Sequence, residues 1–388
     1  MTPVLAAVLL LPAVAACGSK DSGAGDSGSS AGSGAAASGS DDFLADAKAV
    51  LDKGYAGDFE DPPTEGPKAV SGKKVWYVSC GQAFEACVVQ SNAFKAAGDA
   101  LGWDVTIQDG KADPSVTAAL IRQAIAAKVD GMAVAYFDCP GIKSALLDAK
   151  TAKMPVVQLG SLDCDNEIYQ SNDEALFAAS PKLRGSTDAA EWYANWARAR
   201  ANYTIATTEG KAKVLSIFEN SQAIQQANGD AFADEMGKCT TCEIKRVPFS
   251  FAQVPNPATQ QWKSAILSNP TYDVVANGID AVMFLGLQPA VQGAGREVTI
   301  DGAELNPGNI ELIRSGAQRS AAAVPYGWFA WATADTLNRV FAGDDPASFP
   351  NEGTGWQFVD KDNNLPSGND YEPPVDYKAA YEKIWNGS

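Results

Sequence analysis

Val116-Thr-Ala-Ala-Leu-Ile-Arg-Gln-Ala-Ile-Ala-Ala-Lys-Val-Asp-Gly-Met-Ala-Val-Ala-Tyr-Phe137 reads as a helix running into a strand. Val116, Leu120, Ile121, Ala124 and Ile125 recur at i, i+4, i+5, i+8 and i+9, which places them on one helix face. Met132–Phe137 follows as a short apolar run of strand length. The alternation continues on both sides. Further strand-like runs lie at Val75–Val78, Val105–Ile107 and Val156–Leu159, and Ile142, Ala145, Leu146 and Ala149 mark another helix face. Successive strand starts are 30, 27 and 24 residues apart, the period of βαβ units with right-handed crossovers on a parallel sheet. The pattern restarts at Val214–Phe218, Glu243–Val247, Val274–Ala276 and Val298–Ile300. Helical segments are expected over 222–237, 258–268, 281–292 and 308–315. A helix over 187–200 opens this second half, with Trp192 and Trp196 as core anchors. The fold class is α/β, with two doubly wound parallel-sheet lobes in tandem.

Composition narrows the function. The chain has 388 residues, 46% of them apolar, enough for two lobes with their own cores. Its net charge of −17 argues against a nucleic-acid partner, because phosphate-binding surfaces need clustered cations. There is no histidine. A Ser-His-Asp triad, an HExxH zinc site and a histidine proton shuttle are therefore all excluded. No metal or cofactor site is indicated, and the balance moves toward a binding protein.

Residues 1–16 are almost entirely apolar, too short for a membrane-spanning helix and the right size for an export signal. Val14-Ala-Ala-Cys17-Gly18 looks like a bacterial lipobox, which makes Cys17 the expected lipidation site. No Lys or Arg precedes the apolar run, so the true start is expected upstream of Met1. Residues 17–42, rich in Gly, Ser, Ala and Asp, read as a flexible tether. The implied location is the outer face of the cell membrane. Residues 43–72 read as a surface arm, with a short helix over 43–53 and a break at Asp61-Pro-Pro.

Six further cysteines allow 15 disulfide pairings, and an even count in an exported chain indicates bridges. Sequence alone does not choose among them; the expected pairs are Cys80–Cys87, Cys139–Cys164 and Cys239–Cys242, the first and last because they are local. For Cys239-Thr-Thr-Cys242 half a zinc site or a redox pair are the alternatives. There is no second such pair to complete four thiolates, and the motif does not open a helix.

In open parallel sheets ligands bind beyond the carboxyl ends of the strands. Those positions hold Ser79–Phe84, Tyr136–Cys139, Glu219–Gln222, Asn277–Asp280, Asp301–Glu304 and Tyr326–Trp331. There is no GxGxxG or GxxxxGK[ST], so a nucleotide fingerprint is missing. Carboxylates, amides and aromatic rings without cations suit a neutral polyhydroxylated ligand. Helix capping alone would account for Asp138 and Asp280, though not for the aromatic residues beside them.

From Lys73 to about Gly343 the chain resembles type I periplasmic binding proteins of the ribose/galactose-binding kind, substrate-binding components of ABC importers. The carrying features are Lys73–Ser79, Asn92-Ala-Phe94, Ala97-Gly98, Asp113-Pro114, Ala124–Gly131 and Met154–Val157. In the second half they are Gly229–Phe232, Val298–Gly302 and Ala334–Gly343. The resemblance implies three crossover strands, near Ser171–Asp173, Pro325–Gly327 and Gly343–Ala347. The first lobe is then 73–172 plus 326–343, and the second 173–325 plus 344–388. It further implies Phe84 as an aromatic wall, Asp138 and Asp301 as hydroxyl-binding carboxylates, and Gln226 where ribose binders carry arginine. Asn277 and Asp280 flank a polar position, and Tyr326 or Trp328 replaces a glutamine. Phe137, beside Asp138, completes the expected set. The lost arginine removes a bidentate donor and points away from ribose itself. A larger sugar, polyol, other neutral metabolite, cation or aromatic metabolite fits instead.

The resulting expectation is a monomeric, lipid-anchored solute-binding protein that closes on a sugar or polyol and delivers it to an ABC permease. The alternatives are a ligand-sensing lipoprotein signalling to a membrane kinase and a glycosidase using two carboxylates.

Overall fold

The computed structural model describes residues 35–254 and 258–387, with the backbone alone for 35–42. The expected signal segment, Cys17 and the tether up to residue 34 lie outside the described residues. Helix α1 (Ala35–Ala56) begins earlier than the arm was expected to. Residues 35–42, assigned to the tether, form its first two turns; Ala35-Ala-Ala37 is a run of the best helix former.

β1 (Lys74–Ser79), α2 (Glu85–Leu101), β2 (Asp104–Asp109), α3 (Pro114–Ala127), β3 (Gly131–Ala135), α4 (Cys139–Thr151) and β4 (Val156–Leu159) build the first sheet and its helices. Its strand order is β2-β1-β3-β4, all parallel. β3 and β4 are buried along their whole length, which is why they read as continuous apolar runs rather than alternating ones. Asp113 caps α3, accepting the Ser115 N–H at 2.7 Å, with Pro114 at the first helical position.

The second half repeats the plan with α5 (Ala189–Thr207), β5 (Lys213–Glu219), α6 (Ala223–Gly237), β6 (Glu243–Phe249), α7 (Ala258–Ser268) and β7 (Val274–Asn277). α8 (Leu287–Gln292), β8 (Thr299–Asp301), α9 (Pro307–Arg314), β9 (Ser320–Ala323), α10 (Tyr326–Ala342), β10 (Gln357–Asp360) and α11 (Tyr377–Asn386) follow. The second sheet runs β6-β5-β7-β8-β9-β10, parallel except for the antiparallel β9–β10 pair. Trp192 and Trp196 are buried and stacked, ring centroids 6.2 Å apart. The helix expected over 281–292 is two pieces, a 3-10 turn (Asp280–Met283) and α8, separated by Gly286 at φ +126°.

Three passages connect the sheets. The first lies later than Ser171–Asp173: Ala178 donates to the Val156 carbonyl at 2.8 Å and Ala179 bridges Val157, so this segment extends the first sheet beside β4. The second is Val324–Pro325, between β9 and α10, and the third runs from Gly343 to β10. Lys182 and Asn351 bridge the first and third. α11, expected in the second lobe, instead packs on α10, with Trp331 and Trp385 stacked at 5.3 Å. Its apolar face, Tyr377, Tyr381, Ile384 and Trp385, has nowhere else to be buried. The arm straps the back of this hinge. Asp58 donates to the Trp356 carbonyl and pairs with Arg184, while Ala69 and Gly72 reach Trp385 and Gly102.

Candidate functional site

A cavity of about 430 Å³ lies between the lobes, at the carboxyl ends of both sheets. The first lobe supplies Phe84, Pro114, Tyr136, Phe137, Asp138 and Tyr169; the second supplies Ser221, Gln222, Gln225, Phe251, Glu304 and Asn306. Tyr326, at the second passage, closes the floor. Four of the residues expected from sequence, Phe84, Phe137, Asp138 and Tyr326, are thus brought together.

The first-lobe wall is built around β3. Tyr136 leaves that strand at φ +62°, a left-handed conformation unusual for an aromatic residue. Its ring occupies the space over Gly160, where a Cβ would come within 2.4 Å of it. Gln90 donates to the Tyr136 hydroxyl at 2.7 Å and fixes the ring. Asp138 accepts the Leu162 N–H at 2.9 Å through Oδ1, and the Tyr169 phenol lies beside it. Burial pushes the Asp138 carboxyl above its usual range, and these two contacts offset part of the shift. The disulfide Cys80–Cys87 also lines this wall, tying the end of β1 to the first turn of α2, where Phe84 stands as N-cap. Cys139–Cys164 joins the start of α4 to the loop after β4, and Cys239–Cys242 closes the turn between α6 and β6. All three bridges join the pairs named from sequence, and Cys239–Cys242 holds neither zinc ligands nor free thiols.

The second-lobe wall is a loop held from behind. Asp280, fully buried, accepts the Ala303 and Leu305 N–H groups at 2.7 and 2.8 Å and donates its own N–H to Glu304 Oε2 at 3.1 Å. That clamp keeps Leu305 at φ +65° and presents Glu304 and Asn306 to the cavity. Burial, with the charge of Asp280, pushes Glu304 up to about 7, although the Asp280 N–H, the Tyr326 hydroxyl and Arg200 oppose it. Asn306 is only 3% exposed, and its Oδ1 has no partner. Arg200 stays behind the wall, donating to the Asn277 and Gly302 carbonyls.

Five expected residues lie elsewhere. Asp301 is buried in a bidentate pair with Arg319 at 2.7 and 2.6 Å, and also accepts from Thr204 and Ser320. Its oxygens are fully engaged away from the cavity. Asp280 acts through the loop it clamps rather than by touching the cavity, and Asn277 is buried against it, its amide donating to Oδ1 at 3.2 Å. Gln226 bonds Asp230 one helical turn on, at 2.8 Å, while its neighbour Gln225, about 100° round α6, faces the cleft. Trp328 is enclosed between Phe59 and Tyr377 and donates to the Tyr381 hydroxyl. Tyr136, Gln222 and Glu304 were named among the strand-end positions but not in the expected set, and Tyr169, Gln225, Phe251 and Asn306 were not singled out. Four of them, Tyr136, Gln222, Phe251 and Glu304, stand within three residues of a strand end, the one signal that marked them in the sequence.

The lobes touch at the cleft mouth. Phe84 and Phe251 approach to 6.0 Å between centroids, and Glu85 Oε2 accepts the Gly308 N–H at 2.9 Å, in the first turn of α9.

A sequence profile described as a periplasmic binding protein domain matches residues 85–345. No curated protein sequence matches the chain. Among solved structures, an ABC transporter periplasmic solute-binding protein from Actinobacillus succinogenes 130z with bound D-allose is similar at TM-score 0.63 and 16% identity. The match covers 75% of this chain and 98% of that one. A carbohydrate transporter from Acidothermus cellulolyticus 11B in complex with myo-inositol gives TM-score 0.59 and 18% identity, covering 81% and 99%. An ABC sugar transporter subunit from Rhodobacter sphaeroides 2.4.1 gives 0.61 and 16%, covering 76% and 100%.

Proposed function

The chain belongs to the periplasmic binding protein domain family, and from that premise we propose that it captures a sugar or polyol in the interlobe cavity and hands it to an ABC permease. The carrying observation is the cavity itself. It is walled from both lobes by aromatic rings, carboxylates and amides, at the size of a small-molecule site. Rings pack on the C–H faces of a sugar, while Asp138, Glu304 and the Gln222 and Gln225 amides meet its hydroxyls. The similar structures whose titles name D-allose and myo-inositol agree with this class. Ligand that touches both lobes favours the closed state, and no covalent chemistry is required. Lipidation at Cys17 would hold the protein at the outer membrane face, beside its permease.

The test is a thermal-shift and calorimetric screen of the purified protein against sugars, polyols, nucleosides, amino acids and aromatic acids. Ligand at 100 times its Kd stabilises by about 2.7 kcal/mol. A sugar or polyol is expected to give this shift, and Asp138→Ala to abolish it. A shift confined to another class would overturn the substrate.

A further inference from the structure

We propose that the ligand this cleft prefers is a polyhydroxylated molecule carrying a protonated amine, an amino sugar or aminocyclitol, rather than its neutral parent. This rests on the sugar or polyol reading above and refines it.

Among the described residues, those that line the cavity include two carboxylates, Asp138 from the first lobe and Glu304 from the second, and no Lys or Arg. The nearby cations are already engaged: Arg200 with the Asn277 and Gly302 carbonyls, Arg319 with Asp301. Asp138 Oδ1 and Glu304 Oε2 each hold one backbone N–H, which leaves Asp138 Oδ2 and Glu304 Oε1 to take a ligand donor. The phenols of Tyr169 and Tyr326 already lean on these two carboxyls. The third acceptor is Asn306 Oδ1, on a side chain 97% buried and without a partner. The wall therefore carries free carboxylate and amide acceptors beside its hydroxyls and amides, but no cationic donor among the described residues.

A neutral hydroxyl supplies one proton to such an acceptor and leaves its charge uncompensated. An ammonium supplies three donors and the opposite charge, so a Coulomb attraction is added to a hydrogen bond that the carboxylate alone already strengthens. Six aromatic residues, Phe84, Tyr136, Phe137, Tyr169, Phe251 and Tyr326, line the same cavity, and aromatic ring faces attract cations. The elevated Glu304 carboxyl agrees: burial and the Asp280 charge raise it more than Arg200 lowers it, and a cation in the cavity would favour its ionised form.

The experiment is calorimetry at pH 7 with matched probes: D-glucose, D-glucosamine, N-acetyl-D-glucosamine and D-glucuronate; myo-inositol and an amino-deoxy-inositol; and putrescine. The amine of a pair should bind at least tenfold tighter than its neutral parent. N-acetylation should erase the gain, and the uronate should bind weakest. Glu304→Gln or Asp138→Asn, each checked for an intact fold by circular dichroism, should bring the amine-to-parent ratio toward one. Parents binding as tightly as their amines would overturn the amine assignment while leaving the sugar or polyol reading in place. Putrescine binding more tightly than every sugar and cyclitol would instead remove the polyol reading, and the proposal with it. So would failure of every probe to bind folded protein.

Discussion

Asp301 and Glu304 stand three residues apart and have opposite fates. Burial alone would raise the Asp301 carboxyl; the charge and hydrogen bonds of Arg319, with those of Thr204 and Ser320, outweigh it and leave the group below its usual range. Its stabilising effect is thus complete above the unfolded value near 4 and is lost as pH falls through the lower folded value. Removing one partner of a buried pair costs about 3–5 kcal/mol. Asp301→Ala should therefore lower the unfolding free energy read from urea melts by that amount and leave calorimetric ligand affinity unchanged in the protein that remains folded. A loss of affinity at full stability would put Asp301 back in the site. Glu304 runs the other way. Its folded value, about 7, lies above the ordinary 4.5, so the folded state holds the proton more tightly than the unfolded chain. Stability should fall as pH rises from about 4.5 to 7, by on the order of 3 kcal/mol, and level off above. Subtracting the urea-melt profile of Glu304→Gln should isolate this slope; parallel profiles would refute it.

At the scale of elements, the site depends on what fixes the strand ends. Cys139–Cys164 closes a 25-residue separation and Cys239–Cys242 only 3. On the chain-entropy account, removing the first costs about 3–4 kcal/mol and the second about 1.5 kcal/mol. Paired Cys→Ser variants melted side by side should keep that order; equal losses would mean the unfolded chain is not the state being constrained. α6 shows why the side chains of the site were harder to read than its elements. Its helical span was legible, yet choosing between Gln225 and Gln226 needs the helix phase relative to the other lobe. β9, Ser320-Ala-Ala-Ala323, was not legible at all. Alanine has no preference for strand, and tertiary pairing with β8 and β10 alone places it there.

For the whole molecule, the open–closed balance is set partly by contacts that no ligand makes. The Glu85 carboxylate on the Gly308 N–H and the Phe84–Phe251 contact join the lobes at the mouth. Glu85 is exposed, so the bond is worth roughly 0.5–1 kcal/mol. Glu85→Gln should weaken every cleft ligand by the same factor, about two- to fivefold, because it acts on closure rather than on recognition. Calorimetry with two dissimilar ligands reads this directly. A change in their affinity ratio would show that Glu85 recognises ligand instead.

The sequence by itself made legible the α/β class, the two-lobe repeat and the two local disulfides, Cys80–Cys87 and Cys239–Cys242, whereas the Cys139–Cys164 pairing was one choice among several. The legible features follow from local periodicity and short separations, which the chain carries wherever it goes. It also determined the cleft chemistry in outline, because parallel strands must deliver their following residues to one edge. Only the tertiary structure decided which of those residues face the cavity. Asp301 and Glu304 lie on the same short segment, and neither residue type nor spacing distinguishes them. The difference comes from Arg319, eighteen positions on, which captures Asp301, and from Asp280, whose clamp on Ala303 and Leu305 turns Glu304 outward. Both are long-range pairings of buried charge and backbone, and they exist only once the second sheet has formed.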